Sequence, residues 1–146
     1  MKFLADAMLG RLATWLRLLG YDTVYLPDAD DHELARIARA EDRVLLTRDV
    51  ELTRRRGVRH VLIESEQVDA QLRQVFHALE LSARDAFSRC AECNLVLQSV
   101  SKDRVRDQVP PYVFQTHDRF LRCRRCGKIY WRGTHWARIL AQIEDL

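Results

Sequence analysis

The segment RVLLTRDVELTRRRG, residues 43–57, places a carboxylate between a predicted strand and a predicted short helix. The apolar run at 43–47 predicts a buried strand, and residues 49–56 predict a helix that ends at Gly57. Asp49 marks the junction, and arginines flank it on both sides. Two explanations are open: Asp49 caps the helix, or it binds a metal ion that faces a phosphate backbone.

The same succession of strand and helix fills the first 87 residues. Each predicted strand is short and apolar, and each predicted helix has apolar residues at helical spacing. The strands are predicted over 2–5, 22–26, 43–47 and 59–65, and the helices over 7–19, 30–40, 49–56 and 67–80. Strands that alternate with helices pair in parallel, with right-handed crossovers. The pattern therefore predicts an α/β fold, a parallel sheet with flanking helices.

The pattern changes near residue 87. The remaining segments are two alternating runs at 95–100 and 128–131, a Pro-Pro pair at 110–111, and a predicted helix at 135–143. We therefore predict two domains, residues 1–87 and residues 88–146.

Composition and the N-terminal segment limit the class of protein. Hydrophobic residues make up 47% and charged residues 31% of the 146, as in soluble globular proteins. We predict no membrane span, because no run of about 18 apolar residues occurs. The start, MKFLADAML, is interrupted by Asp6 and does not resemble a signal peptide. We therefore expect a cytoplasmic protein, in which cysteines bind metal more often than they form disulfides.

The net charge of +3 is unevenly distributed. Residues 1–87 contain 13 Lys and Arg against 15 Asp and Glu, whereas residues 88–146 contain 11 against 6. A basic segment favours a polyanionic partner such as nucleic acid, although a few surplus charges also occur on ordinary surfaces.

Acidic residues follow three of the predicted strands. Asp6 follows the first strand, and Asp49, preceded by Thr47, follows the third. After the second strand, at the start of its helix, come Asp28, Asp30 and Asp31. Ligands of open parallel sheets bind at this edge, where the strand order reverses. Carboxylates that converge there suit Mg²⁺ or Mn²⁺, which activates water for attack on a phosphodiester.

Helix capping is the competing explanation for these acids, because Asp is a favoured N-cap residue. Asp30, with Glu33 three positions later, matches a capping box, so Asp31 is the better candidate ligand of the pair. Other chemistries are not supported, because the sequence contains no GxxxxGK[ST], GxGxxG or GxSxG motif.

Two Cys-x-x-Cys pairs lie in the second part of the chain. They are Cys90 with Cys93 and Cys123 with Cys126, separated by 29 residues. Four thiolates at this spacing predict a structural zinc site, with two disulfides as the alternative. The residues after each pair, Asn94 and Gly127, are types that tolerate positive φ.

Basic and aromatic residues surround the second pair. Arg124, Arg125 and Lys128 alternate with aromatic residues such as Tyr130 and Trp131. Such a surface favours RNA, since cations hold phosphates and rings stack on bases. The alternative is that the rings pack the small core of a zinc-binding domain.

These motifs together resemble a known family. The matching segments are Asp6, MLGRLATWLRLLGYDT (8–23), DDHEL (30–34), LLTRD (45–49), SRCAECN (88–94) and CRRCGKIYWRGTHW (123–136). They resemble the PIN-like ribonucleases, and more narrowly the family named after the C-terminal domain of the mut-seven exoribonuclease, which also has a zinc ribbon.

The resemblance implies a PIN-like nuclease domain over residues 1–87 and a zinc ribbon over residues 88–146. The family cleaves RNA with Mg²⁺ or Mn²⁺ held by acids, which carried over to this chain are Asp6, Asp31 and Asp49. Thr47 matches a hydroxyl beside the metal, and Asp30 supports the site. Many PIN nucleases have a further acid after the next strand, where this chain offers only Glu64 and Glu66.

The sequence therefore predicts a metal-dependent ribonuclease whose zinc ribbon assists RNA binding. The predicted RNA contacts are Arg11, Arg48, Arg54, Arg55, Arg124, Arg125 and Lys128. Two alternatives stay open: a non-catalytic RNA- or ribosome-binding module, and a toxin-like nuclease controlled by a partner.

Overall fold

The computed structural model of the chain describes residues 1–144 and confirms the four predicted strand–helix units. The units are β1 (Lys2–Ala5) and α1 (Gly10–Leu18), β2 (Asp22–Tyr25) and α2 (Asp31–Ala40), β3 (Val44–Thr47) and α3 (Val50–Thr53), β4 (His60–Leu62) and α4 (Val68–Ala78). A 3-10 turn, Ala7–Leu9, precedes α1. All neighbouring strands pair in parallel in the order β2-β1-β3-β4, as the alternation predicts.

Helices cover both faces of this sheet because the strand side chains alternate between them. Phe3 and Ala5 of β1 point into a large apolar cluster with α1 and α4. Leu4, between them, packs with Leu34 of α2 and Leu52 of α3 on the other face. The strands are therefore buried on both faces, which explains their nearly continuous apolar sequences.

The helix predicted over 49–56 is shorter in the structure. Only Val50–Thr53 is helical, and Arg54 is the C-cap residue. Arg54–Arg56 therefore form a turn rather than one face of a helix, and Gly57 closes it with φ of +71°.

The C-terminal region forms a second, antiparallel sheet in the order β5-β6-β7. Its elements are β5 (Gln98–Val100), α5 (Pro111–Thr116), β6 (Phe120–Arg122), β7 (Ile129–Tyr130) and α6 (Thr134–Glu144). The alternating runs and the last helix were predicted, but α5 and β6 were not. Pro111 opens α5 at the first helical position, where a missing N–H costs nothing, so the Pro-Pro pair marks a helix start.

A small apolar cluster explains why these short elements form. Val105, Val109 and Val113 pack with Phe120 of β6 and exclude water from the connection between β5 and β6. The connection thereby has its own core, separate from the cysteine turns.

The C-terminal region packs against α1 and α4 rather than standing apart. Phe87, Cys90 and Trp136 belong to the same buried cluster as the inner faces of those helices. The rings of Trp15 and Trp136 stack with centroids 5.6 Å apart and planes 14° from parallel. The boundary near residue 87 stays a prediction.

None of the helices in the described residues combines the length and the apolarity that crossing a membrane requires.

Candidate active site and cysteine cluster

The strand order reverses at β1, which pairs with β2 on one side and with β3 on the other. In open parallel sheets such a reversal leaves a crevice at the carboxyl ends of the strands. Asp6 follows β1 there, and Thr47 is the last residue of β3. The Asp6 N–H donates to the carbonyl of Leu46 at 3.2 Å. This backbone hydrogen bond to β3 fixes the position from which the Asp6 side chain extends.

The Asp6 carboxylate is nearly buried, with 9% of the residue exposed. One oxygen, Oδ2, accepts a hydrogen bond of 2.5 Å from the fully buried Thr47 hydroxyl, and Oδ1 accepts from the N–H of Met8 at 3.3 Å. Among the described residues, no basic side chain forms an ion pair with Asp6. Burying a carboxylate is costly unless hydrogen bonds or a cation stabilise it, and in the described residues Asp6 has these two hydrogen bonds and no cation.

Thr47 also links Asp6 to Asp49. The Asp49 N–H donates to the Thr47 hydroxyl oxygen at 2.9 Å. The Asp49 carboxylate is exposed and accepts from the N–H of Glu51 at 2.9 Å, so it caps α3. One buried hydroxyl therefore connects the two acidic positions, and capping leaves the second carboxylate oxygen of Asp49 available to a ligand.

Asp30 is the N-cap of α2, as the sequence predicts. Its Oδ1 accepts from the N–H of Glu33 at 2.8 Å. Asp31 is the first helical residue and is half-buried. Because α2 follows β2, the neighbour of β1, both acids belong to the same edge of the sheet as Asp6. We call Asp6, Asp31, Thr47 and Asp49 the carboxylate edge.

The three acids of the carboxylate edge do not form one tight ligand cluster. Among the side chains that the structure describes, only the four cysteines bring three or more ligand atoms within 4.8 Å of one another. Mg²⁺ is commonly held by one or two carboxylates together with several waters. The structure brings Asp6, Asp31 and Asp49 to one edge of the sheet but does not assemble them into a three-ligand group.

The arginines near this edge differ in their surroundings. Arg48 is held within the fold, since its guanidinium lies 3.5 Å from Glu66 and donates to the carbonyl of Glu64 at 3.5 Å. Arg54 pairs with Glu51 at 3.1 Å on the surface, and both Arg11 and Arg55 are exposed. Glu66, which follows β4, thus lies beside Arg48, but its side chain is 79% exposed, so the pair contributes little to stability.

The four cysteine sulfur atoms form a compact group. All four lie within 4.8 Å of one another, and the sulfurs of Cys90 and Cys126 are 3.7 Å apart. Zn–S bonds of about 2.3 Å in a tetrahedron place sulfurs about 3.8 Å apart, whereas a disulfide needs about 2.05 Å. The cysteines are free, and their arrangement fits a zinc ribbon. Asn94 and Gly127 adopt φ of +61° and +77°, which confirms the predicted turns.

The thiols of this group have unequal proton affinities. Burial and the neighbouring cysteines raise the pKa of Cys93 to about 12. Burial also acts to raise the pKa of Cys123, but the backbone N–H groups of Cys126 and Arg125 outweigh it and lower that pKa to about 7. The Tyr130 hydroxyl lies 3.2 Å from the Cys90 sulfur and accepts from the N–H of Ala91 at 3.0 Å. A dication would allow all four sulfurs to become thiolates together.

Comparison with protein families decides the assignment. The family model described as Mut7-C RNAse domain matches residues 1–143. The chain belongs to the Mut7-C RNAse domain family. No curated protein and no solved structure matches it. The family assignment supports a ribonuclease-type role with RNA as the substrate, and it confirms the resemblance found in the sequence.

In this Mut7-C domain, the first cysteine turn is bound to the parallel sheet. Arg17 of α1 donates to the carbonyl oxygens of Thr23 and Ala91, each at 2.8 Å. Asn94 accepts from the N–H of Thr23 at 3.1 Å and donates to Asp22 at 2.8 Å. The contacts of Ala91 and Asn94 were not predicted, because they join residues more than 70 positions apart, which give no local signal.

A buried ion pair completes this junction. Arg43 contacts Asp22 at 2.9 Å, with only 8% of the Arg43 side chain exposed. Although burial alone would raise the pKa of Asp22, the hydrogen bonds from Arg43 and Asn94 hold it below its usual value. The junction lies at the first residues of β2, whereas the carboxylate edge of the Mut7-C domain follows the last residues of β1 and β3.

Tyr25 and Gly10 lie beside the carboxylate edge, and sequence analysis missed both. The Tyr25 hydroxyl donates to the carbonyl of Ala7 at 2.8 Å and thereby holds the turn after Asp6. A side chain on Gly10 would lie 3.1 Å from that hydroxyl, so the tyrosine ring occupies its space. Tyr25 lies within the strand predicted over 22–26, but its hydrogen bond to Ala7 gave no signal in the sequence.

Proposed function

We propose that the chain is a divalent-metal-dependent ribonuclease whose catalytic residues are Asp6, Asp31 and Asp49. The observation that supports it most is the Asp6 carboxylate, which is buried, bonded to Thr47 and not paired with any described cation. Mg²⁺ or Mn²⁺ bound by these acids would supply charge neutralisation and an activated water for phosphodiester hydrolysis.

Thr47 and Asp30 have supporting roles in this proposal. The Thr47 hydroxyl donates to Asp6 and accepts from the Asp49 N–H, so it fixes the separation of two ligand positions. Asp30 caps α2 and thereby sets the position of Asp31 at the helix start. The acids themselves contribute negative charge, so the substrate phosphates need cations elsewhere on the molecule.

The four cysteines would hold a structural Zn²⁺, since all four ligand positions are filled by protein. In this proposal the exposed Arg124, Arg125 and Lys128 beside the cysteine cluster contact RNA phosphates, as do the exposed Arg11, Arg54 and Arg55. Arg48 is tied to Glu66 and Glu64, so its first role is to position the segment after β4.

One observation favours a second candidate function, a non-catalytic RNA-binding module. Asp6, Asp30 and Asp49 each accept a backbone N–H at the start of a helical turn. Capping would account for the presence of all three without a metal ion.

Cleavage of a mixed pool of single-stranded and hairpin RNA distinguishes the two functions. The zinc-loaded chain is assayed with Mn²⁺ or Mg²⁺ and with EDTA, and bound zinc is measured afterwards. We expect metal-dependent cleavage that falls roughly a hundredfold in Asp49→Asn. Asp42→Asn is the control, because Asp42 is exposed, precedes β3 at the opposite edge and has φ of +52°, which Asn tolerates. RNA binding without cleavage under every metal condition would favour the binding module.

A further inference from the structure

A groove opens beside β5, on a part of the C-terminal region that the sequence analysis did not select. It encloses about 830 Å³ between the end of β5, the connection from α5 to β6, and Arg132 after β7. We call it the β5 groove, and its polar lining includes Ser99, Ser101, Lys102, His117, Arg119 and Arg132.

The β5 groove has a surplus of positive charge. Lys102, Arg119 and Arg132 line it, and Asp118 is the only acid among its lining residues. Asp118 lies 3.3 Å from Lys102, but its side chain is 92% exposed. Exposed pairs of this kind contribute little and are readily replaced by another anion. The groove therefore attracts polyanions.

Contacts within the fold position these cations. The Lys102 ammonium lies 4.8 Å from the centre of the Phe114 ring, and the Arg132 guanidinium lies 5.9 Å from that of Phe87. His117 is bonded through Nε2 to the carbonyl of Arg132 at 3.0 Å, which joins the end of α5 to the segment after β7. The cationic side chains therefore project from a fixed framework.

The positive surface continues along β5 into a neighbouring cavity. A second cavity of about 300 Å³ shares Ser99 and Ser101 with the groove and adds Arg104 and Arg122. Among the strands that the structure describes, β5 pairs with β6 alone and forms the edge of its sheet, and the two cavities adjoin at Ser99 and Ser101. Together they make a cationic track that is longer than either cavity.

We propose that the β5 groove binds the phosphodiester backbone of single-stranded RNA and is the main RNA contact of the C-terminal region. The inference rests on the proposed ribonuclease function for its choice of RNA. A recessed, positively charged groove suits a flexible single strand, whose backbone follows the cations. The exposed hydroxyls of Ser99 and Ser101 provide donors for phosphate or ribose oxygens.

The β5 groove lies apart from the carboxylate edge along the chain. Its residues come from segments on both sides of β5 and β6, whereas the proposed catalytic acids follow β1, β2 and β3. Because none of the proposed catalytic acids lines the groove, it would retain a long RNA without taking part in bond cleavage. Loss of the groove should raise KM for long RNA while leaving kcat unchanged.

The test measures binding of a labelled, unstructured 12-nucleotide RNA to the zinc-loaded chain by fluorescence anisotropy, without added Mg²⁺ or Mn²⁺. For the double variant Arg119→Ala/Arg132→Ala we expect Kd to rise about tenfold. The slope of log Kd against log salt concentration should also decrease by about 0.7 for each phosphate that the variant no longer binds. Arg36→Ala/Arg73→Ala is the matched control, because both arginines lie on exposed helix surfaces outside the groove. Its Kd and salt dependence should equal those of the wild type.

The outcomes separate this inference from the proposed function. The proposal that the β5 groove binds RNA would be overturned by wild-type affinity in the groove variant, or by loss of binding only in Arg124→Ala/Arg125→Ala. Either result would leave the nuclease proposal intact. Groove-dependent binding by a chain that never cleaves RNA would support the groove and contradict the nuclease. Equal, groove-dependent binding of a duplex of the same length would overturn the assignment to single strands. Bound zinc and circular dichroism confirm that each variant is folded.

Discussion

At the scale of single residues, Thr47 is the most informative side chain of the carboxylate edge. It is fully buried, donates to the Asp6 carboxylate and accepts the Asp49 N–H. A valine there would fill nearly the same volume but would offer neither hydrogen bond. The hydroxyl therefore explains how an apolar strand can end beside two acids.

Thr47→Val tests that role. We expect a loss of about 1–3 kcal/mol in the free energy of unfolding, since a buried carboxylate and an N–H lose their partner. Urea unfolding measures the loss, and the proposed site predicts that the Mn²⁺ concentration for half-maximal cleavage rises as well. Thr47→Ser, which keeps the hydroxyl, is the control. Equal stability of Thr47→Val and the wild type would show that the hydroxyl is dispensable.

At the scale of elements, Gly20 follows α1 and packs against the segment before the first cysteine turn. Its φ is +99°, and an added side chain would overlap the carbonyl oxygen of Asp85 and lie 2.8 Å from the Ser88 hydroxyl. We expect Gly20→Ala to cost about 3 kcal/mol, from backbone strain and overpacking together.

Gly57→Ala is the matched comparison for Gly20→Ala. Gly57 also has positive φ, +71°, but the nearest atom to an added side chain is 3.7 Å away on Arg39. Backbone strain alone should cost about 1 kcal/mol there. Chemical unfolding of both variants measures the difference, and equal losses would show that the contact with Asp85 is unimportant.

Arg17 connects helix α1 to the first cysteine turn through a hydrogen bond. It donates to the Ala91 carbonyl, and its charge lies near the sulfurs of Cys90 and Cys93. We expect Arg17→Lys to release zinc several-fold faster to a chromogenic chelator, because one ammonium cannot reproduce both carbonyl contacts. Arg36→Lys, on the exposed face of α2, should leave the release rate unchanged. Equal release rates in the two variants would contradict the link.

Sequence patterns predict some of these elements well and others poorly. The four parallel strands follow from apolar runs alternating with amphipathic helices, and the cysteine turns follow from their spacing. The α5 helix and β6 were missed because they are only six and three residues long and form around Val105, Val113 and Phe120. The positions of the acids after strands could be predicted from the sequence. The hydrogen bonds of Thr47 with Asp6 and Asp49, and of Tyr25 with Ala7, depend on tertiary contacts.

At the scale of the whole molecule, the parallel sheet and the cysteine-rich region share one apolar core. Trp136, Ile139 and Ile143 of α6 are each less than 8% exposed and belong to the cluster that includes α1 and α4. Removing α6 would therefore expose the apolar surface of both helices.

A fragment of residues 1–87 tests the predicted domain boundary. We expect it to unfold at lower urea concentration than the full chain and to bind a hydrophobic dye, because α6 no longer covers α1 and α4. The zinc-loaded full chain is the control. A fragment that matches the stability of the full chain would show that residues 1–87 fold independently of the cysteine-rich region.

The central claim is that the carboxylate edge binds a catalytic cation, and Mn²⁺ binding to the zinc-loaded chain tests it most directly. Electron paramagnetic resonance measures free and bound Mn²⁺ in the wild type, Asp6→Asn and Asp42→Asn, independently of any RNA substrate. We predict saturable Mn²⁺ binding in the wild type and in Asp42→Asn, and at least about tenfold weaker binding in Asp6→Asn. Identical Mn²⁺ binding by Asp6→Asn and the wild type, or no saturable binding to either, would contradict the claim.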